Sequence, residues 1–86
     1  MNRKQQKTLD SIFAVLTLAT IRFGDIEKLL IALGAHVIEG RGSRVAYVIE
    51  NGVKWEEHRP HTQKGAKKYQ VESARIFLKR LGYGNE

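Results

Sequence analysis

The chain contains no cysteine, and this absence removes several kinds of site from consideration. Without cysteine there is no disulfide framework, no thiolate nucleophile and no cysteine-ligated metal. The sequence also lacks a signal peptide and any apolar run long enough to span a bilayer, so we expect a cytoplasmic protein without membrane contact. A glycine-rich phosphate loop, a paired-carboxylate site and a Ser-His-Asp pattern are absent too. The three histidines have no acidic partners at ligand spacing, so neither a metal nor another cofactor is expected.

Acidic residues are scarce in the last third of the chain, and this scarcity indicates a class of partner. Residues 58–86 hold seven lysines and arginines against two acidic residues, whereas residues 23–57 hold four against six. The 86 residues together carry a net charge of +6. A charge concentrated in one region favours a polyanion, with nucleic acid as the first candidate. The alternative is a solvated basic helix that only keeps the protein soluble.

The length corresponds to one domain, residues 1–86, to which residues 1–20 are expected to add an N-terminal helical extension. Residues 1–7 are polar and are expected to fray. From Thr8, apolar residues at helical spacing predict a helix that ends near Leu16–Leu18. We expect this helix to cover a sheet edge or to form a homodimer contact.

The predicted core, residues 21–82, contains two further helices and three strands. Helical periodicity predicts helices at residues 22–33 and 69–81, each followed by a glycine that can end it. Apolar and β-branched runs predict strands at residues 35–39, 44–50 and 53–58. This order predicts an α+β sandwich, in which a three-stranded antiparallel sheet carries the helices on one face.

The turn between the second and third strands decides which residues share a face of the sheet. Asn51-Gly52 predicts a two-residue type I′ turn, which pairs Val48 with Trp55 and Val45 with His58. Both faces of the middle strand are then apolar, and a bulge in the third strand is one way to resolve the conflict. Trp55 is expected to pack in the core rather than to stack on a base.

The segment from Gly40 to Lys68 carries the residues that suit RNA chemistry. A histidine base can take the proton from a ribose 2′-OH, which then attacks the adjacent phosphate, while a cation stabilises the charge that develops there. His58 and His61 are the candidate catalytic bases, and Arg44 is the candidate cation. The candidate RNA-binding residues are Arg41, Ser43, Arg59, Lys64, Lys67 and Lys68. A structural or solvent-exposed role is the alternative for each of them.

Four motifs, taken in order, resemble the HicA family of toxins. They are IEKLLIALGA (residues 26–35), GRGSR (40–44), HRPH (58–61) and FLKRLG (77–82), and the resemblance covers about residues 21–82. It implies a fold like that of the double-stranded-RNA-binding domain, cleavage of messenger RNA, and silencing by a HicB-type antitoxin. The family carries Gly-Ser-His at the start of the second strand, where its histidine is the presumed catalytic residue. Here Gly42, Ser43 and Arg44 occupy those positions.

Three functions of different classes follow from these observations. The first is a HicA-like toxin, a metal-independent endoribonuclease that cleaves messenger RNA. The second is a non-catalytic RNA-binding module of double-stranded-RNA-binding-like fold, which accounts for Arg44 in the place of the family histidine without any chemistry. The third is a protein-interaction domain whose charge serves only solubility. Loss of RNA binding separates the third from the others, and toxicity on expression separates the first from the second.

Overall fold

Three helices and a three-stranded antiparallel sheet share one apolar core in this small α+β domain. The computed structural model describes residues 1–14, 21–50, 52–60 and 65–84. Its helices and strands, in chain order, are α1 (Arg3–Phe13), α2 (Phe23–Ala32), β1 (His36–Glu39), β2 (Arg44–Val48), β3 (Lys54–His58) and α3 (Lys68–Arg80). The strand order is β1-β2-β3. The element order and the antiparallel sheet predicted from the sequence are therefore confirmed.

The first helix begins earlier than its apolar pattern predicts, because its N-terminus is capped. The Asn2 side chain accepts a hydrogen bond from the Gln5 backbone N–H at 2.9 Å, and the Gln5 side chain accepts one from the Asn2 backbone N–H at 2.8 Å. This reciprocal capping box satisfies two backbone donors that a helix start otherwise leaves unpaired. The expectation that residues 1–7 fray is therefore wrong, while the predicted helix end near Leu16–Leu18 lies outside the described residues.

The helix α1 belongs to the hydrophobic core of the domain. It contacts α2 and α3, and Leu9 and Ile12 are buried in the same apolar cluster as the sheet. Arg75 of α3 adds a polar contact, since its Nε donates to the Ile12 carbonyl at 2.7 Å. The main contacts of α1 are therefore with the other two helices, and its covering of a sheet edge stays a prediction. Homodimerisation through it stays a prediction, although Leu9 and Ile12, two of the apolar side chains on which such a contact would depend, are buried within the domain.

The ends of the other two helices follow the sequence signals. Gly34 after α2 and Gly82 after α3 adopt positive φ angles of 102° and 96°. The N–H groups of Ala35 and Tyr83 then bond back to carbonyls in the last turns of α2 and α3, at 3.0 Å in both cases. Among the described residues, no helix is long and apolar enough to cross a membrane.

The hairpin between β2 and β3 has a different register from the predicted one. Tyr47 pairs with Trp55, and the Ile49 N–H donates to the Val53 carbonyl at 2.8 Å, so three residues separate the last pair instead of two. Gly52 has a φ of 90°, which a turn residue without a side chain adopts easily. The predicted pairs of Val48 with Trp55 and Val45 with His58, and hence the two-residue turn, are wrong; Asn51 itself lies outside the described residues.

The observed register removes the conflict between two apolar faces. Val45, Tyr47 and Trp55 lie on the inner face and are buried, with exposed fractions of 3%, 0% and 4%. Phe23 of α2 stacks on Trp55 at a ring-centroid distance of 5.9 Å, and the Trp55 indole N–H donates to the Ser73 hydroxyl of α3. The pairing of β2 with β3 is continuous from Arg44 to Val48, so no bulge is present there. Trp55 is in the core, as expected.

Candidate nucleic-acid interface

One corner of the outer sheet face, where β2 begins and β3 ends, gathers several of the predicted site residues. Arg44 pairs with His58 across the two strands, so both side chains project from the outer face. Arg41 lies in the turn before β2, where its carbonyl accepts the Arg44 N–H at 3.0 Å. These three exposed side chains line a groove of about 290 Å³. The proximity that a histidine base and an arginine phosphate clamp require is therefore present.

Ser43 hydrogen-bonds to the imidazole of His58. The Ser43 Oγ lies 3.1 Å from His58 Nδ1, and the Ser43 carbonyl accepts the Arg59 N–H at 2.7 Å, which continues the β2–β3 pairing by one residue. When Nδ1 carries the ring proton, it donates to Oγ and leaves the lone pair of Nε2 free. The geometry thus suits His58 as a proton acceptor, and it gives Ser43 an orienting role in addition to the predicted RNA contact.

The N-terminus of α3 joins the same corner through Gln70. This glutamine is buried, with an exposed fraction of 2%, and its Nε2 donates to the His58 carbonyl at 2.9 Å. Its Oε1 accepts the backbone N–H of Lys67 at 3.0 Å. The exposed residues Lys67 and Lys68 therefore lie at a helix N-terminus next to the end of β3. A helix N-terminus with two lysines is a favourable place for a phosphate.

Arg59 lies on the inner side of this corner and is already paired. Its Nη1 donates to Glu39 of β1 at 2.9 Å, and its Nη2 donates both to Glu39 at 3.1 Å and to Glu27 of α2 at 2.7 Å. The guanidinium thus joins α2 and β1 to the residue that follows β3. Its RNA contact stays a prediction, and the two carboxylates give Arg59 a structural role that the sequence did not indicate.

The surroundings of Arg59, Glu39 and the neighbouring Tyr47 shift the pKa values of these three groups. The hydrogen bond from Arg59 holds the pKa of the Glu39 carboxyl below its ordinary value, and the two carboxylates raise the pKa of Arg59. Burial raises the pKa of the Tyr47 phenol above its ordinary range, and the nearby charge of Glu27 adds to this effect. Within the described part of the chain, the Tyr47 hydroxyl is buried and has no hydrogen-bond partner.

Replacing Arg59 by methionine is expected to lower the free energy of unfolding by about 1–2 kcal/mol, because the half-buried Glu27 loses its partner. The second pair, with the exposed Glu39, adds little because solvent screens it. Stability must also lose part of its pH dependence. The carboxyl concerned is that of Glu39, whose pKa is lower in the folded state. Such a group stabilises the fold above its unfolded pKa, and this contribution disappears as the pH falls through the folded pKa. Urea unfolding between pH 7 and about pH 3 should therefore show a shallower loss of stability in Arg59→Met.

Lys28→Met is the matched control for Arg59→Met, since it removes an exposed positive charge from α2. It should unfold like the unmodified chain at every pH. An Arg59→Met variant with unchanged stability and an unchanged pH profile would contradict the structural role of this network.

Two of the predicted site residues, His61 and Lys64, lie outside the described residues, and their roles stay predictions. In contrast, sequence reasoning missed the acidic residues around the site, which are Glu27, Glu39, Glu56 and Glu57. Glu56 could have been found, because residues two apart in a strand share a face and Glu56 precedes His58 by two. The pairs of Glu27 and Glu39 with Arg59 join residues 32 and 20 positions apart, which no local pattern reveals.

Comparison with protein-family models, with curated proteins and with solved structures finds no match to this chain.

Proposed function

We propose that this chain is the toxin component of a HicA-type toxin–antitoxin system, an endoribonuclease that cleaves messenger RNA. The observation that carries the proposal is the corner of the outer sheet face at which Arg44 pairs with His58 and Ser43 hydrogen-bonds to the His58 ring. A base, a cation and an orienting hydroxyl meet there on an exposed surface. The basic N-terminus of α3 lies next to them and offers further phosphate contacts.

The proposed reaction needs only groups of this corner and the RNA itself. His58 Nε2 accepts the proton of a ribose 2′-OH, and the 2′-oxygen attacks the adjacent phosphorus. The bond from phosphorus to the 5′-oxygen of the next nucleotide breaks, and that oxygen takes up a proton from solvent. The products are a 2′,3′-cyclic phosphate and a 5′-hydroxyl. Arg44 stabilises the negative charge that the phosphate oxygens gain in the transition state, because it remains charged at every working pH.

The proposed antitoxin of HicB type covers the outer face of the sheet. This face carries Ile38, which is 55% exposed, beside the partly buried Ala46 and Val48. Apolar side chains rimmed by charged ones are typical of surfaces that another protein covers. A partner bound there blocks the groove and the corner together. As part of the same proposal, the fold is of the double-stranded-RNA-binding type, to which the order of α2, the sheet and α3 corresponds.

RNA affinity is expected to fall steeply with salt, and Lys67 and Lys68 should contribute to that slope. Replacing both by alanine should reduce the slope of log affinity against log salt by about 1.4, since each phosphate contact to a single strand contributes about 0.7. Fluorescence anisotropy on a labelled RNA measures the slope. Lys79→Ala/Arg80→Ala removes two charges from the other end of α3 and should leave it unchanged. A slope that is equally steep in both variants would exclude the α3 N-terminus from the interface.

Induced expression in a bacterium tests the proposed function. Growth and the integrity of messenger RNA are followed for the unmodified chain and for His58→Ala. Growth arrest with cleaved messenger RNA, absent in the variant, is the expected result. Normal growth at a high level of folded protein would contradict the toxin assignment.

A non-catalytic RNA-binding module is the second candidate. It is favoured by one observation, that Arg44 stands where the resembled family has its presumed catalytic histidine. In that case Arg44 and His58 only contact the backbone of the RNA. Salt-dependent RNA binding without cleavage would support this candidate over the first.

A further inference from the structure

The groove on the outer face of the sheet contains a carboxylate that the proposed cleavage does not use. Glu56 lies in the middle of β3 and lines the groove together with Arg44 and His58. Ala46 of β2 pairs with Glu56 on one side and with Ile38 of β1 on the other. The three strands therefore place Ile38, Ala46 and Glu56 in one row across the outer face. Ile38 and Ala46 form the apolar floor of this row, and the Glu56 carboxylate lies at its end.

The carboxylate of Glu56 is available to a ligand. Its only ion pair among the described residues is with Lys54, at 3.7 Å, and the two side chains are 54% and 56% exposed. Such an exposed pair holds its members weakly. Glu56 therefore brings a negative charge into a groove that Arg41 and Arg44 also line. The groove's other acidic residue, Glu57, is partly buried and already accepts the His58 backbone N–H at 3.0 Å. A ligand that binds there must offer hydrogen-bond donors as well as a phosphate.

We propose that Glu56 selects a guanine base in single-stranded RNA, in the nucleotide whose 3′ phosphate lies between Arg44 and His58. This inference rests on the proposed function and assigns the substrate of the same site. Guanine is the only one of the four bases whose Watson–Crick edge presents two adjacent N–H donors, N1–H and the N2 amine. A carboxylate accepts both in a bidentate, charge-assisted pair.

The other bases do not match a carboxylate as well. Adenine and cytosine place a ring-nitrogen acceptor beside the exocyclic amine, and its lone pair faces the second carboxylate oxygen. Uracil has one N–H between two carbonyl oxygens. Each of these bases leaves Glu56 with one hydrogen bond and an adjacent repulsion, so the groove discriminates by pairing and not by size.

The dimensions of the groove fit one unpaired nucleotide. The row of Glu56 lies two residues along β3 from that of His58, which corresponds to about 7 Å. A base on Ala46 and Ile38 then extends over the floor while its ribose and 3′ phosphate reach His58 and Arg44. The volume of about 290 Å³ is at the lower end of small-ligand sites. A base held by its Watson–Crick edge cannot be paired in a duplex, so the substrate is single-stranded.

Four short single-stranded RNAs that differ only in one central base provide the test. Cleavage 3′ to that base is measured with the full chain, and affinity is measured on the same oligonucleotides with 2′-deoxyribose at the central position, which blocks the reaction. Guanine is expected to be preferred in both assays by about 5- to 150-fold, the discrimination that a bidentate contact to a base edge provides. Annealing a complementary strand should abolish the preference.

Glu56→Gln should remove the guanine preference, because the amide offers one acceptor and one donor. Glu50→Gln neutralises an exposed carboxylate in the turn of the same hairpin, outside the groove, and should keep the preference. Equal rates and affinities for all four bases, or a guanine preference that survives Glu56→Gln, would overturn the inference while leaving cleavage intact. If no RNA is cut, the proposed function fails, and the affinities for the deoxy-substituted oligonucleotides still decide whether Glu56 selects guanine.

Discussion

RNA cleavage by the His58→Ala variant is expected to be about 10²- to 10⁴-fold slower than cleavage by the unmodified chain, the range that a general base contributes. The His58 side chain is exposed, and the one side-chain hydrogen bond of its ring that the described residues show is with Ser43. Its backbone carbonyl keeps the hydrogen bond from Gln70 in the variant. Activity should therefore be lost without loss of the fold, as single-turnover cleavage and circular dichroism can show.

Two further variants separate chemistry from binding at this position. His58→Asn keeps a hydrogen-bonding side chain next to Ser43 but cannot take up a proton at working pH, so it should be as inactive as His58→Ala. His36→Ala removes the other exposed histidine of the outer sheet face, at the far end of β1 and β2, and should cleave normally. Full activity in His58→Asn would mean that a residue other than His58 is the general base.

Replacing Ile12 by alanine is expected to lower the free energy of unfolding by about 2–5 kcal/mol, the cost of a cavity at a buried aliphatic residue. Ile12 is fully buried in the cluster that α1 forms with the rest of the core. A domain of this size has little stability to spare, so the variant should be largely unfolded near 37 °C. Thermal and urea unfolding measure the change.

Ile76→Ala provides the matched control for Ile12→Ala. Ile76 lies on α3 and is 63% exposed, so its truncation should change the free energy of unfolding by less than about 0.5 kcal/mol. Equal stability of Ile12→Ala and Ile76→Ala would mean that α1 is an appendage to residues 21–82 instead of a part of the core.

The sequence predicted those parts of the fold that depend on local chemistry. The helices α2 and α3 follow from apolar spacing and from Gly34 and Gly82, whose backbones permit the positive φ of a helix end. The start of α1 was missed because it depends on the side chains of Asn2 and Gln5, while the prediction relied on apolar periodicity. For this helix, the capping residues and not the apolar spacing mark the start.

The candidate site shows where such reasoning fails. One extra residue in the β2–β3 turn shifts the register by one residue. Every side chain of β3 then lies on the face of the sheet opposite to the predicted one. This shift places Arg44, and not Val45, across from His58. Arg59 was grouped with the RNA-binding residues by its charge, but its carboxylate partners come from α2 and β1, which only the folded chain brings to it.

The ends of the RNA products test the proposed reaction most directly. The purified chain is incubated with a single-stranded RNA in the presence of a chelator, and the new termini are identified by mass spectrometry. Transphosphorylation by His58 and Arg44 predicts 2′,3′-cyclic phosphate and 5′-hydroxyl ends, formed equally well without divalent ions. Products with 3′-hydroxyl and 5′-phosphate ends, or cleavage that requires a divalent ion, would contradict this account of the site.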